Sequence, residues 1–184
     1  MLLPSNQTPS KLISKDLALS EVADEAILQE IFALRIIAWR GQATIPPDVA
    51  NWTDPIDLLA RHWAIFYGER PIASARLSMH MKTAELPDAE IYSGILLDVL
   101  APIGSINRCV VHPDFRHLGL AKELVKVRIA AARTLGCRMI VVSVDDESGL
   151  RRVLSCGFRK IAEAGPYPDG PIPGKRGTIC TMEL

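Results

Sequence analysis

Six consecutive residues, Arg116-His117-Leu118-Gly119-Leu120-Ala121, place a guanidinium, a residue with no side chain and a residue with a minimal one inside a single short turn. Arg116 offers a formal positive charge and a forked set of donors. Gly119 leaves the backbone open to close approach. The chemistry such a turn supports is the holding of an anion. It does so most strongly where a helix begins, because the first N–H groups of a helix lack partners within it and carry the positive end of its dipole.

The flanking residues supply that helix. Ile106, Cys109, Val110 and Val111 form a mostly apolar run rich in β-branched residues, too short for a typical helix. His112-Pro113-Asp114 stops it, since Pro cannot donate to a sheet ladder and Pro with Asp favours a turn. From Leu118 the period changes. Leu120, Ala121, Leu124, Val125, Ile129, Ala132 and Leu135 recur at three- and four-residue steps, with Lys122, Glu123, Lys126 and Arg133 largely on the other face. Gly136 stands where a helix ends in a left-handed residue. The unit reads strand, tight turn, long helix, and its plainest explanation is a βα turn with a small residue for packing.

Arg-x-x-Gly-x-Ala at 116–121, preceded by Val-His-Pro-Asp-Phe-Arg and opening a helix, resembles the acyl-CoA pyrophosphate-binding motif of the GNAT superfamily of N-acetyltransferases. Ser-Cys-Gly-Phe at 155–158 resembles the Gly-Phe that closes that superfamily's last helix. A looser likeness, Asp54-x-x-Asp57-x-x-Ala60-x-His62 before a hairpin and Ala75-Arg76-Leu77, is similar to the branch near acyl-homoserine-lactone synthases and related N-acyltransferases. The resemblance covers roughly residue 63 to the C-terminus. It implies a GNAT-type acyl-CoA N-acyltransferase fold of the α/β (α+β) class, with a mixed, mostly antiparallel twisted sheet flanked by helices. It implies acetyl-CoA as acyl donor, no metal, and direct attack by a small-molecule or peptide amine in a ternary complex. Carried over residue by residue, it assigns cofactor contacts to Val110, Val111, Arg116, His117, Leu118, Gly119, Leu120, Ala121 and Asp146. It also implies a backbone N–H within 109–111 as donor to the thioester oxygen.

Two departures stand out. The strand position where many members carry a glutamate base falls on Asn107 or Arg108, and the tyrosine acid of the last helix falls on Val153. Neither a base nor an acid carries over. A non-catalytic CoA-binding or regulatory domain is therefore the rival reading. A dinucleotide-binding oxidoreductase would need Gly-x-Gly-x-x-Gly after a strand, which is missing. His112, His62, His80 and Cys156 each have plainer roles, as turn residue, satisfied core histidines and small hydrophobe. Glu85, Asp88 and Glu90 can either steer a cationic acceptor or form a solvated loop face.

The remaining chain reads in order. Residues 1–10 are a loose tail, within a single domain spanning 1–184. A helix is expected from Ser20, as N-cap, to about Arg40, ended by Gly41; whether a strand precedes it around 12–19 is open. Asp54-Pro55 starts a short helix. Strands are expected at 63–67 and 72–77 around a Gly68-Glu69-Arg70-Pro71 turn, with a short helix near 95–100. Further strands follow at 138–144, 158–162 and 178–183, and Ser148 is expected to cap a short helix ending at Gly157. Equal charge, 21 basic and 21 acidic residues, gives no pull toward nucleic acid or an anionic membrane. No apolar run reaches the roughly 18 residues of a membrane span. The first residues lack a signal-peptide pattern, so a cytoplasmic protein is expected, and a homodimer is allowed. Cys109, Cys137, Cys156 and Cys180 show neither a zinc nor a disulfide spacing.

Overall fold

A computed structural model describes residues 16–40, 49–95, 100–167 and 174–184. The chain begins with β1 (Leu17–Val22) and α1 (Glu25–Trp39), then β2 (Arg61–Tyr67), β3 (Arg70–His80) and β4 (Ile103–Val111). It continues through α2 (Leu120–Thr134), β5 (Met139–Val144), α3 (Glu147–Leu154), β6 (Arg159–Pro166) and β7 (Arg176–Glu183). The strands form one seven-stranded sheet in the order β1-β2-β3-β4-β5-β7-β6. Every pairing is antiparallel except β4 with β5. That mixed, mostly antiparallel architecture is the expected one, and the single parallel pair is the βαβ crossover read around α2.

Helices cover both faces. On one face Leu124, Val125, Ile129 and Ala132 of α2 and Val153 of α3 pack with Ile72, Leu77, Ile106, Ile140 and Val142 of the sheet. On the other, Ile31 and Phe32 of α1 pack on Val22 and Ala64, and Leu34 and Ala38 pack on Val110. Parallel pairing of β4 with β5 runs only from Ile103–Met139 to Ser105–Val141. Beyond it the two strands continue unpaired with each other, and the gap between them is where the candidate site opens.

Two expectations change. Ser20 lies within β1, whose residues pair from Leu17–Tyr67 to Val22–His62, so cross-strand pairing overrides the helical reading of this stretch. The N-cap of α1 is Asp24, which accepts from the Ile27 N–H at 3.1 Å. Asp146, rather than Ser148, caps α3: it accepts from the Gly149 N–H at 2.8 Å and from the Ser148 hydroxyl at 2.6 Å. The stretch between β3 and β4 forms two short 3-10 turns, at Thr83–Glu85 and Ala89–Tyr92; the helix expected near 95–100 falls largely outside the described residues. So do the tail at 1–10, Gly41 and the prolines at 168, 171 and 173.

A cleft at the splay of the sheet

β4 ends in His112 and a 3-10 turn, Pro113–Phe115. The chain then passes His117, at φ 65°, and Gly119, at φ 79°, before α2 starts. Two left-handed residues in three fold the backbone back tightly enough for α2 to begin beside the splayed end of β4. A Cβ built on Gly119 would meet no protein atom within 4 Å, so backbone conformation, not packing, demands glycine there. Leu120 and Leu124 anchor the first turns of α2 in the core, at 6 % and 0 % exposure.

Around this turn lies a cleft of about 520 Å³. Of the residues singled out from the sequence, Val110, Val111, Arg116, His117, Gly119, Leu120, Ala121 and Asp146 line it; Leu118 does not, and packs against the main core instead. Ala38 and Trp39 from the end of α1, Asp145, Ser148 and Arg152 are also on its wall. Arg116 donates to the Ala38 carbonyl at 2.7 Å, which ties the turn to α1 while leaving the residue at the cleft. Burial works to push the Asp146 carboxyl up, but the Ser148 hydroxyl, the Gly149 amide and the Arg152 charge outweigh it and hold it below the usual range. The main-chain N–H groups at the start of α2, with the dipole behind them, can receive an anion.

The cleft continues through the sheet. A narrower cavity of about 130 Å³ shares Trp39, Cys109, Asp145, Asp146 and Arg152 with it. Trp52, Asp88, Tyr92, Asn107, Arg108, Ser143 and Tyr167 lie on its walls. Tyr167 donates to Ser143 Oγ at 2.9 Å, and both side chains face the cavity. Gly177 permits this approach: a Cβ there would stand 2.6 Å from Ser143 Oγ and 2.9 Å from the Val144 carbonyl oxygen.

β4 is irregular where it borders the cavity. Arg76 of β3 pairs with Asn107, yet Ser74 pairs with Val110, so β4 carries one residue more than its partner over this span. The extra residue is at Arg108, in the left-handed region at φ 50°. As a result Ile106 packs with α2 and Val110 with α1, although in a regular strand the two would share a face. Beyond the bulge, the His112 N–H meets the Ile72 carbonyl at 2.8 Å. Alternate residues of a strand turn their main-chain groups to opposite edges, so Val111 presents its N–H to the edge that β5 has left.

Behind the bulge lies a ladder of alternating charge that the sequence did not disclose. Arg35 of α1 grips Asp57 with two bonds of 2.8 and 2.9 Å. Arg76 Nη1 donates to Asp57 at 2.7 Å and to Asp54 at 2.8 Å, while its Nε donates to Asn107 Oδ1 at 2.7 Å. Arg108 donates to both oxygens of Asp54, at 2.7 and 3.0 Å, and stacks 4.2 Å from the centroid of Trp52. Burial would raise both carboxyls. Around Asp57 the Arg35 hydrogen bonds and charge, then Arg76, overcome it; around Asp54, Arg108 and then Arg76 do so; both end below the usual carboxylate range. The looser motif had marked Asp54, Asp57, Arg76 and His62, but nothing in it pointed to Arg35 and Arg108 as their partners.

The other candidates have structural roles. Asn107 and Arg108 are engaged in this ladder and Val153 is 2 % exposed in the core, so none of the three substitutes for the missing base or acid. His62 meets the Asp57 carbonyl at 3.1 Å, and burial holds its pKa down. His80 bonds Ser78 at 2.8 Å, and burial likewise lowers it. Glu85 closes its own turn on the Met81 and Lys82 amides, at 2.9 and 3.3 Å. Asp88 alone of the three loop acids lines the inner cavity, 3.8 Å from Arg108. Among the described residues no group of three or more His, Cys, Asp or Glu could hold a metal ion, and no helix is long and apolar enough to cross a membrane.

The fold has known counterparts. The polyamine N-acetyltransferase of Drosophila melanogaster, which catalyses formation of N-acetylagmatine, superposes with a TM-score of 0.64 at 14 % identity, over 92 % of this chain and 100 % of that one. A GNAT family acetyltransferase from Elizabethkingia anophelis with acetyl-CoA bound gives 0.60 at 14 %, over 92 % and 99 %. An acetyltransferase of Bacillus subtilis in complex with CoA gives 0.57 at 15 %, over 91 % and 97 %. At such identities the likeness is one of fold. No curated protein matches by sequence. The family model described as acetyltransferase (GNAT) family does match, over residues 28–158, and the chain belongs to that family.

Proposed function

We propose that this chain transfers an acetyl group from acetyl-CoA to an amine. The observation that carries the reading is the coincidence of an anion-receiving helix start and a splayed strand edge in one continuous cleft. The amides around Gly119, with Arg116 beside them, would hold the diphosphate. The unpaired edge of β4 at Val110 and Val111 would take the extended arm of the cosubstrate, as a further strand would, in place of β5. The Val111 N–H then faces the thioester and can donate to its oxygen as negative charge develops. Ser143 stands in the inner cavity with the Tyr167 hydroxyl donating to it, so a proton leaving Tyr167 would pass through Ser143 to the departing thiolate. The acceptor would enter on the α1 side, past Trp52, Asp88 and Arg108. Bound acetyl-CoA and CoA in relatives of this fold support the donor. An amine acceptor that is a small molecule or a peptide fits the family.

A second reading is favoured by the engagement of Asn107, Arg108 and Val153: a domain that binds CoA without turning it over. Thiol release from acetyl-CoA separates the two. The expected result is release dependent on at least one of spermidine, agmatine, glucosamine, tryptamine or an alanine-terminated peptide. Binding of acetyl-CoA without release across that panel would favour the second reading. A cytoplasmic location accords with this chemistry, since acetyl-CoA is an intracellular donor.

A further inference from the structure

Building on the reading that acetyl-CoA occupies the cleft, we infer that Asp54 is a positioning residue for the thioester carbonyl: its grip on Arg108 holds the bulge of β4, and the bulge decides which main-chain amide faces the cleft. On one side of the bulge Arg76 pairs with Asn107 and Leu77 with Ile106; on the other Ser74 pairs with Val110 and Ala73 with Val111. The one-residue offset reverses the direction of every side chain and main-chain N–H that follows. With the bulge in place, the His112 N–H meets Ile72 at 2.8 Å and the Val111 N–H turns to the splayed edge. Without it, the Val111 N–H would turn into the β3 ladder, and the Val110 side chain would leave Leu34 and Ala38 for the α2 face.

The bulge does not hold itself. Arg108 is at φ 50°, a region that residues with a Cβ avoid. What holds it is a chain of fixed groups. Asp54 takes two bonds from Arg108 at 2.7 and 3.0 Å, and Trp52 covers the guanidinium at 4.2 Å. Asp54 is itself fixed by Arg76 at 2.8 Å, and by its own N–H donated to Asp57 at 2.8 Å. Asp57 is fixed by Arg35. From the far side of the sheet Arg128 reaches through the irregularity to the carbonyls of Arg76 and Asn107, at 3.1 and 3.3 Å. Asp54 touches no substrate in this account; it acts through Arg108 on the Val111 amide.

The test reads the carbonyl itself. Acetyl-CoA isotopically labelled at the thioester carbonyl is bound to the full chain and its stretch followed by infrared difference spectroscopy. Wild type is expected to move the band below its position in free acetyl-CoA. Asp54→Ala is expected to return it there, with CoA affinity by calorimetry changed less than about threefold and kcat for the active amine down by about 10²-fold, the scale of losing one aligned donor. Adding Arg108→Gly to Asp54→Ala is expected to restore the displaced band, because glycine adopts the left-handed conformation without a clamp. Should Asp54→Ala fail to fold, Arg108→Gly against Arg108→Ala in the wild-type background decides: the glycine variant keeps the displaced band and the alanine variant loses it. An undisplaced band in wild type, an Asp54→Ala band that stays displaced, or glycine and alanine behaving alike at 108 overturns the inference. Wild type that binds no acetyl-CoA overturns the donor reading, and this inference with it.

Discussion

Gly119 carries two demands in one residue. Its φ of 79° excludes most side chains, and the absence of one leaves the helix start approachable. A residue such as Trp would meet no protein atom at its Cβ but would fill space a diphosphate needs, and it would add the strain of a left-handed backbone, about 1–3 kcal/mol. Gly119→Trp is expected to leave the circular dichroism of the fold intact and to abolish CoA binding by calorimetry. Asp57 poses the opposite case, a charge whose role is inside the fold. Asp57→Asn leaves Arg35 and Arg76 without their shared counter-charge and is expected to lower stability by about 3–5 kcal/mol in a denaturant titration. The pH dependence follows from the same contacts. Asp54 and Asp57 have carboxyls lowered in the folded state, so their stabilising contribution is complete above the unfolded value of about 4 and is lost as pH falls toward the folded values. Thermal melting is expected to be flat near neutrality and to drop steeply below about pH 4, with a shallower acid limb in Asp57→Asn. An equally steep limb in that variant would assign the acid sensitivity elsewhere.

At the scale of elements, the strand–turn–helix unit was legible because its signals are contiguous. Residues 106–136 carry β-branched residues, then His-Pro-Asp, then a helical period, and each signal agrees with its neighbour. The charge ladder was not legible, because its partners lie far apart: Arg35 and Asp57 are 22 residues apart, Arg108 and Asp54 are 54. Asp54 and Asp57 stood out by their spacing, but local pattern says nothing of which cations reach them. The start of α1 was misread for a related reason. Ser20 followed by Glu21 and Asp24 mimics a helix start four residues early; pairing with β2, distant in sequence, makes Ser20 and Glu21 strand, and Asp24 alone is the cap. The bulge at Arg108 was equally hidden, since no glycine marks it. Element-level packing is tested at α3 and at β7. Asp146→Ala removes the cap of α3 and is expected to cost about 1 kcal/mol. Gly177→Ala forces a Cβ to 2.6 Å from Ser143 Oγ and 2.9 Å from backbone, and is expected to lower the melting temperature measurably while disturbing the inner cavity.

For the molecule as a whole, the sheet is continuous from β1 to β6 except where β4 and β5 part beyond Ser105 and Val141. A ligand that fills the gap would join the two halves of the sheet and stabilise the native state alone. At a free concentration 100 times its dissociation constant, CoA would raise stability by about 2.7 kcal/mol and the melting temperature with it. The most direct measurement is isothermal calorimetry of CoA and acetyl-CoA against wild type and Gly119→Trp. Saturable heat at one site per chain for wild type and none for the variant is the predicted result. No heat for wild type at millimolar ligand, or equal binding by the variant, would contradict the placement of the cosubstrate at the start of α2.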